Sequence, residues 1–410
     1  MSKQLTIKEY DFLQTKDENS SYEKAHYIHK SIFEKLEKFA LENEETAQYL
    51  KLTTKKGFGK VLQAQNYVGL LQTKDGTTIE ILPKIKNISV DESKKILLKM
   101  LKTLKKSPFK NLNNAELKPS KLPLLEIFIS MFLEELSKLI KRGIKSDYIS
   151  KEENLHFLKG KLKIAEQIKQ NSIHKERFFV EYEEFLSDRV ENRLIKTTLE
   201  FLYKKSKSNA NQQKIREFIF VFDAVKRSRD VKTDFSKVKL NRQMRDYEQV
   251  LIWSKTFLLG NSFSPYSGDE LSFALLFDMN LLFESYVGTY LKKKGFDVKL
   301  QDKGKHLVEE PNKFALRPDI VINKGTKNEI VADTKYKNIS KEKDISQADM
   351  YQLYAYGTKY ENTSQLYLIY PQNDELTISR YSYIQDKLHL EILFFDLAKG
   401  FEQDIGIKCE

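Results

Sequence analysis

Residues 314–337 read FALRPDIVINKGTKNEIVADTKYK, and the fold of the C-terminal part turns on how this stretch pairs with itself. Two apolar runs, FALRPDIVI and EIVADTKYK, flank a turn from Asn323 to Asn328 that contains Gly325, the pattern of two strands joined by a short loop. If they form a hairpin about Gly325-Thr326, Asp319 comes to lie beside Asp333. Side chains alternate along a strand, so Asp333 and Lys335 share one face and Thr334 points away. Two carboxylates and one ammonium then converge. Paired carboxylate oxygens suit Mg²⁺, which keeps several waters that serve as nucleophile. Lys335 is placed to orient or help deprotonate that water, or to stabilise charge on a scissile phosphate.

The surroundings extend the pattern. A helix over about Phe277 to Lys294 stops at Gly295, the strand FDVKL follows, and beyond the hairpin come a helix over about Ile345 to Tyr360 and the strand QLYLIYP. This αβββαβ order implies an α/β domain on a mixed sheet. Glu284, on the first helix, is a third candidate acid and reads equally as half of a structural ion pair. Asp349, Gln352 and Tyr356 are spaced i, i+3 and i+7, which puts them on one helical face. Gln352 suits positioning of water or a phosphate oxygen, Tyr356 suits contact with a nucleic-acid backbone, and Asp349 reads also as a plain hydrogen-bond acceptor. Tyr351, Tyr354 and Tyr360 read as packing. A lone D-x-K is usually a solvated strand face; here a Pro-Asp at hairpin distance, an acidic helix before it and Q-x-x-x-Y after it argue for a site.

Toward the N-terminus the spacing predicts a helix over Ser21 to Glu42 and a small antiparallel sheet over Tyr49 to Lys84, with Gly57 and Gly59 as punctuation and Asp75-Gly76 as a tight turn. A helix over Asp91 to Lys105 precedes a loop with Pro108, Pro119 and Pro123. Then come a helix over Leu124 to Lys141, a strand near Phe157 to Ile164, helices over Asp188 to Lys205 and Gln212 to Lys226, and a polar connector from Arg227 to Lys239. His26 and His29, at i, i+3 on the first expected helix, have no acidic or cysteine partner at metal spacing and read as surface residues. The fold class is therefore α+β and multidomain: residues 1–120 a small β-rich domain with helices, 121–240 a mainly helical region, and 241–410 the α/β domain.

Composition bounds the rest. At 410 residues, 40% hydrophobic and 12% aromatic, the chain is too apolar for disorder and long enough for two or three domains. Its apolar runs fall short of the roughly 20 residues that cross a bilayer, and the N-terminus has no apolar segment with a cleavage site; a cytoplasmic protein without a membrane is expected. The single cysteine, Cys409, excludes an internal disulfide framework and a multi-cysteine zinc site. A net charge of +12 is compatible with a polyanionic partner, although 11 of the 70 basic residues are Arg, so the signal is partly Lys usage.

Pro318-Asp319, Asp333-Thr334-Lys335 and Gln352 to Tyr356 resemble the motifs of the PD-(D/E)xK nuclease superfamily, RecB-like branch, with Asp333 where Glu is commoner. The remainder is similar to the McrC family, the nuclease subunits of McrBC 5-methylcytosine-type restriction systems. That resemblance rests on the order of Ile79-Glu80-Ile81-Leu82-Pro83-Lys84, LKGKL at 158–162, Asp188 with Asn192-Arg193, and MNLLFESYV at 279–287. It implies a C-terminal domain that cuts DNA with Mg²⁺ or Mn²⁺ held by Asp319, Asp333 and Glu284, with Lys335 and Gln352 completing the catalytic set. It also implies an N-terminal half that docks on, and stimulates, a separate McrB-like AAA+ GTPase hexamer; the chain has no G-x-x-x-x-G-K-[ST] loop, so GTP belongs to the partner. Such systems serve antiviral defence. By their own chemistry the N-terminal matches read as core and structural polar residues. Two other readings stay open: a stand-alone RecB-like exonuclease, and a protein that is mainly a GTPase-activating regulator of an AAA+ ring.

Overall fold

The chain, as a computed structural model, is described over residues 4–15, 25–42, 48–56, 58–105, 107–110, 122–259, 271–308, 313–372, 379–383 and 388–401. Gly57, Pro119 and Cys409 lie outside these. Residues 1–121 and 262–410 form one compact unit and residues 122–261 a second.

The first unit starts with β1 (Gln4–Lys8), β2 (Phe12–Thr15), β3 (Ala25–Ile28), α1 (Lys30–Leu41), β4 (Leu50–Lys55), β5 (Gly59–Ala64), β6 (Tyr67–Thr73), β7 (Thr78–Leu82) and α2 (Val90–Thr103). The Asp75-Gly76 turn forms as expected: Gly76 has φ +83° and Gln72 pairs with Thr78. The sheets are not wholly antiparallel, since β1 runs parallel to β7 and β3 parallel to β2. The helix expected from Ser21 is shorter. Residues 25–28 are claimed by pairing with β2, because cross-strand partners outweigh an ambiguous local period, and His29 caps α1 by accepting from the Ser31 N–H at 3.3 Å. His26 is accordingly a strand residue, 3.1 Å from Asp11 Oδ2. All five residues of β7 are buried. Glu80 within it pairs with Lys94 of α2 at 2.8 Å, which satisfies a carboxylate that burial would otherwise make costly.

The second unit contains α3 (Leu124–Lys141), β8 (Asp147–Leu155), β9 (Lys161–Leu162), α4 (Ile164–Asn171), β10 (Phe178–Leu186), α5 (Val190–Lys205), α6 (Asn209–Val221), α7 (Val231–Lys237) and α8 (Arg245–Leu259). Its helical core gathers Phe128, Phe132, Trp253 and Phe257 in ring contact. The strand expected at Phe157 to Ile164 shrinks to β9, with Ile164 opening α4; the connector at 227–239 contains α7. A three-stranded sheet in the order β8-β10-β9 makes this region less purely helical than its sequence suggests. Asp188 accepts two bonds from the Arg193 guanidinium, at 2.8 and 2.7 Å, and Asn192 bonds Lys145 O and Ser187 O: a structural polar cluster at the start of α5.

The first unit resumes with β11 (Leu271–Asp278), α9 (Met279–Lys293), β12 (Val298–Leu300), β13 (His306–Val308), β14 (Lys313–Ala315), β15 (Ile320–Ile322), β16 (Glu329–Thr334), α10 (Gln347–Lys359), β17 (Thr363–Pro371), β18 (Ser379–Ser382) and β19 (His389–Phe395). Six strands form one mixed sheet, β12-β15-β16-β17-β19-β18, with β16, β17 and β19 mutually parallel. Leu353 and Tyr356 of α10 pack with Leu366, Leu368 and Ile392 on it. FALRPDIVI is not one strand: β14 pairs with β13, Pro318 intervenes, and pairing with β16 starts at Ile320.

The fold class is the α+β, multidomain one read from the sequence, but its parts group differently. β11 adds to β6 of the N-terminal sheet, Ala274 opposite Leu71 and Leu276 opposite Gly69. The approach at Gly69 (φ +136°) leaves no room for a side chain: a Cβ there would stand 2.1 Å from the Leu275 carbonyl oxygen. Residues 1–120 and 241–410, divided in the sequence reading, thus share a sheet, while α8 belongs to the middle unit. Among the described residues no helix is long and apolar enough to cross a membrane.

Candidate active site

β15 and β16 pair with Ile320 opposite Ala332 and Val321 opposite Val331. The same register carries Asp319 opposite Asp333, as the hairpin reading requires. The turn is closed by Asn323 and Gly325, both at positive φ (+51° and +82°), and by the Gly325 N–H donating to Glu329 Oε2 at 2.8 Å. Asp319 is fixed by Thr334, whose N–H and Oγ1 both donate to Asp319 Oδ2, at 2.9 and 2.8 Å. Thr334, expected to point away, therefore holds one of the acids.

Asp333 is 2% exposed, and its Oδ2 lies 2.7 Å from Lys335 Nζ. The same ammonium donates to Gln352 Oε1 at 3.2 Å and stands 3.9 Å from Asp349 Oδ1. Gln352 in turn donates from Nε2 to Tyr356 Oη at 2.7 Å, one helical turn on, which determines which end of its amide meets Lys335. Tyr356 is only 4% exposed; enclosed in this way it orients Gln352, and the expected contact with a nucleic-acid backbone gives way to that role.

Glu284, on α9, is buried, and its Oε2 accepts from Gln301 Nε2 at 2.9 Å. Gln301 sits just past β12 with φ +49°, its N–H on Asp319 O at 2.9 Å and its Oε1 bonded by Arg317. The three carboxylates sense one another. Burial, and next the charge on Asp319, push Glu284 up to about 7. Burial and the Asp319 charge raise Asp333 as well. Burial also raises Asp319, against the lowering pull of its Thr334 bonds and Lys335. Burial opposes the charge on Lys335, but the Asp333 carboxylate outweighs it and the ammonium is held above its usual range.

Like charges crowded in a partly dry site favour protons or a cation, and hard oxygen donors of this kind suit a small divalent ion. Among the described residues no three His, Cys, Asp or Glu side chains are gathered so as to enclose a metal; Glu284 is tied to Gln301 and Asp333 to Lys335. The structure thus brings together Asp319, Asp333, Lys335, Asp349, Gln352 and Tyr356, with Glu284 alongside. Thr334, Gln301 and Arg317 were missed. Thr334 was visible only as the residue between Asp333 and Lys335, and Arg317 only as the neighbour of Pro318. Gln301 had no signal, since its role depends on the left-handed turn after β12.

The family model described as McrBC 5-methylcytosine restriction system component matches residues 62–371. The chain belongs to the McrBC family. The McrBC match spans both the N-terminal sheet and the site, and it bears out the McrC-family resemblance seen in the sequence. Two solved structures are similar to this McrBC family member. One is a chain in the refined half-complex from the tetradecameric assembly of Thermococcus gammatolerans McrB AAA+ hexamers with bound McrC, at 18% identity over 97% of each chain with TM-score 0.68. The other is a chain in the cryo-EM structure of the Thermococcus gammatolerans McrBC complex, at 19% identity over 74% of this chain and 90% of that one, TM-score 0.51. At such identities the likeness is one of fold. No curated protein matches the chain.

Proposed function

We propose that this McrBC family component is the DNA-cutting subunit of its restriction system, a metal-dependent endonuclease that acts with a separate McrB-like AAA+ GTPase. The observation that carries the reading is the convergence of Asp319, Asp333 and Lys335, with Lys335 Nζ 2.7 Å from Asp333 Oδ2, on adjacent strands of a mixed sheet. Mg²⁺ or Mn²⁺ bound by Asp319 and Asp333, with Glu284 as the third carboxylate, would supply Lewis acidity and an activated water. Lys335 is held by Asp333 and Gln352 so that its ammonium meets developing negative charge on the scissile phosphate without reorganising. Thr334 keeps the Asp319 carboxylate in place from two directions. Without the metal, burial and the Asp319 charge push Glu284 up to about 7; a divalent ion beside it would favour its carboxylate form.

Support for the partner comes from the Thermococcus chain, which is described with McrB AAA+ hexamers. In this reading the docking surface lies in the N-terminal half, and the sheet of the second unit is its best-supported part. Tyr148 and Phe185 on the sheet, Phe157 and Leu158 in the loop between β8 and β9, and Ile168 on α4 are all more than half exposed, an apolar display that marks an interaction surface. GTP is used by the partner.

Asp333→Ala or Lys335→Ala, each in the assembled complex, is expected to abolish DNA cleavage while GTP turnover by the partner is still stimulated. Cleavage retained in both variants overturns the site. Cutting of linear DNA by the chain alone, without nucleotide, would favour the stand-alone exonuclease.

A further inference from the structure

A cleft of about 840 Å³ opens at the C-terminal ends of β16, β17 and β19. It begins immediately after Lys335, with Tyr336 and Lys337, and its far wall is the loop after β7 together with α2. Among the described residues six lysines line it: Lys84, Lys86, Lys95, Lys99, Lys337 and Lys399. Lys95 and Lys99 are one helical turn apart on α2, about 6 Å along its axis. Five of the six are exposed and Lys95 is half-buried.

Among the described residues three acids share the cleft with the six lysines. Glu92 closes the capping box of α2 with Ser89. Asp396 accepts the N–H groups of Ala398 and Lys399 at 2.6 and 3.0 Å. Glu9 is fully buried in the wall, its Oε2 accepting from the Lys84 N–H at 3.0 Å and from Tyr336 Oη at 2.9 Å, while its Oε1 has no hydrogen-bond partner among the described residues. Burial pushes Glu9 up to about 8, so at neutral pH it is mostly the uncharged acid. The cleft is strongly cationic, and six ammonium groups exceed what one mononucleotide pairs with.

We propose that this cleft carries the phosphodiester backbone of the DNA on its way to or from the Asp319, Asp333 and Lys335 site, with Lys95 and Lys99 neutralising phosphates. The proposal rests on the nuclease reading of that site and adds to it the route of the substrate. Backbone contacts of this kind are indifferent to sequence and release counterions, so binding through them falls steeply with salt.

The test is fluorescence anisotropy of a labelled DNA duplex with the full-length chain, alone and with its partner GTPase, in EDTA so that no cutting occurs. Lys95→Ala with Lys99→Ala is expected to weaken binding by about 10-fold or more at moderate salt and to reduce the slope of log K against log salt by about 2. Lys204→Ala with Lys232→Ala, exposed on α5 and α7 of the other unit, is expected to leave both unchanged. Lys86→Ala with Lys399→Ala repeats the test from two other elements should the α2 variant unfold on heating earlier than the wild type. Wild-type affinity and slope in both cleft variants overturn the proposal, as does wild-type protein that binds no DNA in either form. These outcomes are separable from the catalytic reading. Unchanged binding in the cleft variants together with cleavage lost in Asp333→Ala and Lys335→Ala removes the cleft and keeps the site, whereas cleavage retained in both Asp333→Ala and Lys335→Ala removes the site.

Discussion

Glu9 illustrates how one residue joins distant parts of the chain. It follows β1, yet its carboxyl group accepts from Tyr336, the residue after Lys335; the link therefore runs from the N-terminal sheet to the strand that carries Asp333. Burial holds its pKa at about 8 against a usual 4.5. Between those values the unfolded chain has lost the proton and the folded chain retains it, so the folded state binds more protons and stability falls as pH rises, levelling off above about 8. Glu9→Gln removes this slope. Relative to wild type it is expected to be neutral near pH 4 and more stable by about 5 kcal/mol above pH 8, read from urea unfolding across that range. A parallel decline in both proteins would show that Glu9 is not the titrating group. Little of this was legible in the sequence: Asp333 and Lys335 announce themselves by their spacing, whereas Glu9 and Tyr336 are 327 positions apart and no local pattern relates them.

The sheet β8-β10-β9 is the element with the least obvious reason for its composition. β8 and β10 pair from Asp147 opposite Leu186 to Leu155 opposite Phe178. Tyr148 and Phe185 stand directly opposite each other, ring centroids 5.1 Å apart, yet both are more than 60% exposed. A pair left in water contributes less to folding than a buried one; under the proposed function it belongs to the surface that docks on the partner. Tyr148→Ser with Phe185→Ser is expected to shift the unfolding midpoint little, by about 1 kcal/mol or less, and to lower the stimulation of the partner's GTP hydrolysis at least 10-fold. Undiminished stimulation would move the docking surface elsewhere. The sequence pattern was too weak to place this sheet, because β8 and β10, nine residues each, lack the sustained apolar–polar alternation on which a strand reading depends.

At the scale of the whole molecule, the N-terminal sheet and the sheet that bears the site belong to one unit. β11 pairs along β6 over Tyr67 to Thr73, and Phe109 meets Phe277 edge to face at 5.6 Å. Residues 262–410 expressed alone would expose β11 as an unpaired apolar edge, a surface prone to aggregation. They are expected to be insoluble or to lack a cooperative melting transition, and co-expression of residues 1–121 is expected to restore solubility. A soluble, cooperatively melting 262–410 fragment would refute the shared sheet as a folding requirement. The sequence alone suggested a cut near residue 240, because a catalytic segment of familiar size is easily taken for an independent domain.

Taken by itself, the sequence determined the hairpin about Gly325, the pairing of Asp319 with Asp333, the side-by-side Asp333 and Lys335, and the helical face of Gln352 and Tyr356. These depend on short-range rules, strand alternation and helical period, that a few residues specify. Only the tertiary structure decided that Thr334 clamps Asp319, that Gln301 restrains Glu284, that Tyr356 is buried against Gln352, and that β11 belongs to the N-terminal sheet. Each of those turns on which surfaces meet once the chain has collapsed, and burial and pairing between residues far apart in sequence are energies no local pattern contains.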